Sequence, residues 1–179
     1  GYHGWHDWYL SANLASDQNL DGHLLPGLTP KGVPRSLAGE VLPFQYNQFD
    51  ELEELVSRHA IGAIKMEVSR NHGPVEGFLE KVRELATSEN IVLIFDECTS
   101  GFRATFGGLH KAYDIDPDMA IFGKALGNGY AITSVIGTEA VMAAAQNTFI
   151  SSTFWTERIG SAAGLKTLEV MEREKSWET

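Results

Sequence analysis

Lys124 stands in the run Met119-Ala-Ile-Phe-Gly-Lys-Ala-Leu-Gly-Asn-Gly129, where an apolar segment delivers one lysine onto a glycine-rich turn. A second apolar run, Ile91-Val-Leu-Ile-Phe95, ends at Asp96. The lysine amine can condense with a carbonyl to form a Schiff base, and a carboxylate can hold a protonated ring nitrogen. Those two abilities are what pyridoxal phosphate (PLP) chemistry asks of a protein. A lone lysine after a strand is ordinarily a solvated surface cation. Paired with Asp96 and flanked by Gly123, Gly127 and Gly129, it is better explained as chemistry.

Other motifs narrow the field. Gly123-Lys124 has Asp118 where a phosphate-binding P-loop has its first glycine, and Ala125 where that loop has Ser or Thr. Gly127-Asn-Gly129 has Ile132 in place of the third glycine of a dinucleotide fingerprint. Gly127 and Gly129 are left to serve a close backbone approach or a turn with positive φ. His3, His6 and Asp7 lie together near the start, but aromatic neighbours and the lack of a second ligand cluster argue against a metal. Tyr2 offers a flat π surface able to stack on a planar group. Glu67 ends an apolar run as Asp96 does, and either serves a site or pairs with an arginine such as Arg70. Cys98, two residues past Asp96, falls on the same face of an extended chain. It is simply buried, or it packs against a bound ring as a shape contact. Ser151, Ser152 and Thr153 precede a helix and suit a phosphate cradle or a plain N-cap.

The elements that must position these residues alternate. Val41–Phe44 reads as an edge strand, then Phe49, Leu52, Leu55 and Val56 mark a helix capped at Asn47. Strands follow at 61–68, 91–95, 119–122 and 131–137. Helices are expected over Phe78 to Ala86, near His110, from a Thr138 cap through Ala145, and from Ile159 to Glu174. This alternation predicts an α/β fold with a largely parallel sheet flanked by helices. Residues 10–40, with Pro26, Pro30 and Pro34 and little periodicity, are expected to form a mobile lid loop.

A chain of 179 residues suits one domain, and 43% hydrophobic with 21% charged residues is ordinary for a globular protein. The net charge of -10 argues against nucleic acid or an anionic membrane surface as partner. Apolar runs stay short of the ~20 residues of a membrane span, no signal peptide is visible, and the single cysteine fits a reducing, cytoplasmic setting. Opening at Gly1 without methionine and stopping in a charged helical stretch, the sequence reads as an excerpt.

Phe95-Asp-Glu-Cys-Thr-Ser-Gly-Phe-Arg103, Phe106-Gly-Gly, Asp116-Pro-Asp and Phe122-Gly-Lys-Ala-Leu-Gly-Asn-Gly129 resemble the class III PLP-dependent aminotransferases. Gly1-Tyr-His-Gly4, Lys31-Gly-Val-Pro34 and Gly77-Phe-Leu-Glu80 are most similar to the glutamate-1-semialdehyde aminomutase branch. The resemblance spans nearly the whole chain. It implies PLP fold type I (aspartate aminotransferase-like), with residues 1–179 as the core of the large cofactor-binding domain and the N-terminal segment and C-terminal small domain of the family absent. By the same resemblance Lys124 is the Schiff-base lysine and proton shuttle, and Asp96 pairs with the pyridine nitrogen. Tyr2, with His3 beside it, and Cys98 border the ring on its two faces. Glu67 is retained at the site, and Thr153 reaches the cofactor phosphate of a neighbouring subunit in a homodimer. Three departures stand out: Glu67-Val-Ser for Glu-Pro-Val, Asn128 within the glycine turn, and Trp155-Thr-Glu-Arg158 for Ser-Gly-Asn-Pro. The expected activity is transfer of an amino group between a small-molecule donor and a carbonyl acceptor. The alternatives are the intramolecular aminomutase reaction and a non-catalytic binding module that keeps the fold.

Overall fold

The computed structural model describes residues 8–13 and 31–178, which fall in two compact units, Gly1–His59 and Ala60–Thr179. Tyr2, His3, His6, Asp7 and residues 14–30 of the expected lid lie outside the described residues.

In the first unit, helix α1 (Trp8–Asn13) is tied to the segment at 39–41 through one side chain. Asn13 Nδ2 donates to the Tyr9 and Val41 carbonyls, both at 2.6 Å, and its Oδ1 accepts from Gly39 N at 2.9 Å. Val41–Phe44 is irregular, not the strand its sequence suggests. The Val41 carbonyl is engaged by Asn13, and Pro43 has no N–H for a ladder. Helix α2 (Phe49–Arg58) follows, with Leu52 buried and Asp50 and Glu51 complementing the positive end of its dipole. Its N-cap is Gln48 and not Asn47, which adopts φ 66° just ahead of it. The entry is fixed by Gln45 N donating to Glu51 Oε2 at 2.8 Å.

The second unit is built on a four-stranded sheet, β1 (Ala63–Met66), β2 (Val92–Asp96), β3 (Met119–Phe122) and β4 (Ser134–Gly137), in that spatial order. β1, β2 and β3 run parallel, with Lys65 opposite Ile94 and Asp96 opposite Ile121. β4 is antiparallel to β3. The turn and short connection at 123–133 hold no full crossover helix, so the chain can only double back. Helix α3 (Phe78–Ser88) makes the β1–β2 crossover, packs on β2, and buries Phe78, Leu79, Val82 and Ala86, the stripe its sequence marks. Its entry is Gly77 at φ 78°, a conformation a side chain would strain.

Ile64, Met66, Leu93, Phe95, Ala120 and Phe122 are buried, whereas Lys65, Ile94, Asp96, Met119 and Ile121 stand on the half-buried opposite face. Asp118 joins three elements: its Oδ2 accepts from Leu93 N at 2.8 Å and from Arg83 of α3 at 2.9 Å, which sets β2, β3 and α3 in register. After β4, Thr138 is the N-cap of the short helix α4 (Glu139–Met142) without a side-chain cap bond, and the helix expected through Ala145 gives way to a 3₁₀ turn at Ala143–Asn147. Helix α5 (Ile159–Glu174) approaches closely because Gly160 has no side chain: a Cβ there would stand 2.5 Å from the Ala131 carbonyl oxygen. Among the described residues no helix is long and apolar enough to cross a membrane.

Candidate active site

Parallel strands bring their carboxyl ends to one sheet edge, and β2 and β3 deliver Asp96 and the Gly123-Lys124 turn there. Asp96 is the last residue of β2, with a side chain only 13% exposed. Its Oδ2 accepts from Lys65 Nζ at 2.7 Å and its Oδ1 from Cys98 N at 3.1 Å. Burial pushes the Asp96 carboxyl up, but the Lys65 ammonium and the Cys98 N–H outweigh it and hold the group below the ordinary carboxylate value. Asp96 is therefore an anion throughout the neutral range.

Lys124 opens a 3₁₀ turn, Lys124–Leu126, with φ 43°. A lysine in the left-handed region is unfavourable, and such strain collects where a side chain must be aimed. Its amine donates to Thr99 Oγ1 at 2.8 Å. The turn is closed from below by Gly127, where a Cβ would stand 2.1 Å from the Tyr130 carbonyl oxygen. Gly127 thus serves an approach of the chain to itself, while Gly129 supplies the positive φ, at 102°. Cys98 lies between the two functional groups: a Cβ on Gly123 would be 3.4 Å from its Sγ. Burial and the neighbouring Asp96 charge push the Cys98 thiol up, so it is a neutral surface for contact and not a thiolate.

Glu97 holds the frame of this edge. Its side chain points to the other face of the sheet and is fully buried. Oε1 accepts from His110 N at 3.0 Å and lies 2.9 Å from His110 Nδ1, and Oε2 accepts from the Ser100 hydroxyl. Burial raises the Glu97 carboxyl, and the His110 and Ser100 hydrogen bonds bring it below its ordinary value. The loop at 97–110 that carries Cys98 and Thr99 is thereby bound to the sheet at both ends.

The structure brings Lys124, Asp96 and Cys98 to one edge. Glu67 follows β1, 12% exposed, 3.4 Å from Arg70, so the arginine pairing considered from sequence is formed. Thr153 lies in an exposed turn well before α5. The N-terminal amides of α5 are instead met by Glu157, whose carboxylate accepts from Ile159 N and, at 2.9 Å, from Gly160 N. Two residues that sequence inspection passes over belong to the edge, Thr99 and Lys65. Lys65 carries a visible signal, a cation inside the apolar run of β1.

An amine and an anionic carboxylate at neighbouring strand ends, with a neutral side chain and an unbranched glycine between them, fit an aldehyde-bearing pyridine cofactor. Lys124 would hold its carbonyl carbon, Asp96 its ring nitrogen and Cys98 a ring face.

The family Aminotransferase class-III matches residues 39–179. The chain is 36% identical, over 98% of its length and 40% of the relative's, to a 3-aminobutyryl-CoA aminotransferase of Cloacimonas acidaminovorans. It is 32% identical to a glutamate-1-semialdehyde 2,1-aminomutase of Sulfolobus acidocaldarius, over 97% of this chain and 42% of that one. Among solved structures, the FumI protein of Sphingopyxis sp. MTA144, in a PLP internal aldimine form, superposes with a TM-score of 0.75. That likeness covers 79% of this chain and 36% of the other at 24% identity, and concerns the fold, PLP fold type I. The chain spans about two fifths of the length of the curated relatives it matches. It belongs to the class III aminotransferases, a family of PLP-dependent enzymes.

Proposed function

We propose that this class III aminotransferase chain forms the cofactor-binding core of an enzyme that moves an amino group from a small-molecule donor to a carbonyl acceptor. The observation that carries it is the placement of Lys124 and anionic Asp96 at the carboxyl ends of the neighbouring strands β3 and β2.

PLP, when bound, supplies a carbonyl carbon for the amine and a ring that accepts the electron pair of a broken C–H bond. The chain's own part follows from its geometry. Asp96, held by Lys65 and Cys98 N, keeps a proton on the ring nitrogen through its negative charge. Lys124 would hold the cofactor's carbonyl carbon and, when its amine is free, would be a base on a short tether. Its Nζ would take the proton released from the substrate carbon and hold it as the conjugate acid, which is general acid–base catalysis by a positioned amine. Thr99 Oγ1 marks a resting point for that amine. Cys98, neutral and half-buried, supports a ring face. The test is a half-reaction: an amino donor added to PLP-loaded protein should move the visible absorption band to shorter wavelength, and a carbonyl acceptor should restore it. A band indifferent to every donor would favour the binding-module alternative. The aminomutase alternative, which the Sulfolobus relative's name brings forward, differs in returning the amino group to the same molecule.

The working unit under this proposal is a cytoplasmic homodimer in which Thr153 contacts the phosphate bound by the neighbouring subunit. In support, Phe149 is 97% exposed and Ile150, Phe154 and Trp155 around Thr153 are also exposed, an apolar strip that water does not favour. Mixing Lys124→Ala with Thr153→Ala subunits tests it. If the phosphate is held in trans, each mixed dimer has one site with both defects and one with neither, and activity partly returns. No return, with subunit exchange confirmed, would mean that Thr153 serves its own chain or has no cofactor role.

A further inference from the structure

The β1–β2 register does not by itself call for a lysine beside Asp96. The register of β1 on β2 is set by backbone bonds, and lysine is a poor strand former. Yet Lys65 sits within Ala63–Met66 with its side chain only 29% exposed, its ammonium 2.7 Å from Asp96 Oδ2. Strand alternation explains how it gets there. Lys65 is opposite Ile94, and Asp96, two residues on, shares that face. The ammonium takes one carboxylate oxygen while Cys98 N takes the other at 3.1 Å, so donors from two elements fix the plane of the group. Each oxygen keeps lone-pair capacity for one more donor.

We infer that Lys65 is a positioning residue for the cofactor's ring nitrogen, acting through Asp96 by keeping that carboxylate ionised and fixed in orientation. This rests on the function proposed above. Among the described residues the groups facing Asp96 are few. β1 contributes Lys65, the turn after β2 contributes the Cys98 thiol, and β3 contributes the apolar Met119 and Ile121, with Lys124 at its end bonded to Thr99. Glu97 points to the opposite, buried face. Lys65 is thus the cation that offsets the burial of Asp96. Without it, only the Cys98 hydrogen bonds oppose burial, and the Asp96 carboxyl titrates at higher pH. Because Asp96 must be charged to hold a ring-nitrogen proton, the acid limit of cofactor binding moves up with it.

The test uses Lys65→Gln, which keeps a donor and loses the charge, with Lys65→Met and Lys65→Arg beside it. In cofactor-free protein labelled with carbon-13 at aspartate carboxyls, the Asp96 signal is identified by its loss in Asp96→Asn. Its midpoint should rise by about one pH unit or more in the Gln and Met variants and stay near wild type in Arg. PLP affinity measured against pH should lose its acid limb at correspondingly higher pH in the same two variants. An unmoved midpoint in Gln and Met, or an equal rise in Arg, overturns the inference. Failure of wild type to bind PLP at any pH would instead sink the proposed function, while the carboxyl titration still decides the pair.

Discussion

Lys124→Ala protein should bind PLP weakly, show no covalent adduct on the chain, and lose turnover by about ten-thousandfold or more. Two contributions disappear together. In the proposed function the amine that would hold the cofactor covalently is gone, and so is the base that would move the proton, a contribution on the order of 10²–10⁴ by itself. The fold should survive. Lys124 is exposed, its amine bonds the Thr99 hydroxyl, and its φ of 43° is a strain that alanine keeps and does not worsen. Circular dichroism and thermal melting would register that survival. Added amines such as ethylamine should restore part of the turnover, since the missing group is a proton carrier. Turnover within tenfold of wild type would remove Lys124 from the mechanism.

The second large effect is expected at Asp96. In the proposed function Asp96→Ala removes the anion that would keep a proton on the ring nitrogen, and a loss on the order of a thousandfold in turnover is expected. Asp96→Asn keeps the shape and a hydrogen-bonding oxygen and removes only the charge, so a similar loss there assigns the effect to electrostatics. Both variants leave the Lys65 ammonium, 29% exposed, facing a site without its counter-ion, so some loss of stability accompanies the loss of rate. The pH dependence has a definite sign. Asp96 titrates below the ordinary carboxylate value, so its contribution is complete through the neutral range and disappears only as pH falls through that lowered value. Near wild-type turnover in Asp96→Asn would contradict its role.

Much of this edge was legible in the sequence because strand ends are written in apolar runs that stop at a charged or glycine residue. Met119–Phe122 is the strand as expected, and Ile91–Phe95 is displaced by one residue to Val92–Asp96. The α3 stripe follows from helical spacing alone. What was not legible depends on contacts distant in sequence. The partnership of Lys65 with Asp96 needs the β1–β2 register. The fully buried Glu97 needs the loop at 97–110 to return His110 and Ser100 to it, so its role is invisible until the chain folds back. For Gly127 the spacing leaves a close backbone approach or a turn open, and only the folded chain shows the partner, the Tyr130 carbonyl. Val41–Phe44 has a strand's composition, but the Asn13 side chain takes a carbonyl that a neighbouring strand would need.

In the proposed function Lys124 is the covalent attachment point of the cofactor. Borohydride reduction of PLP-loaded protein, followed by proteolysis and mass mapping of the phosphopyridoxyl adduct, tests it most directly. The adduct is expected on the peptide that contains Lys124, and none on the Lys124→Ala protein. An adduct on Lys65 or Lys111 instead, or an unmodified Lys124 in protein that visibly retains PLP, would contradict it.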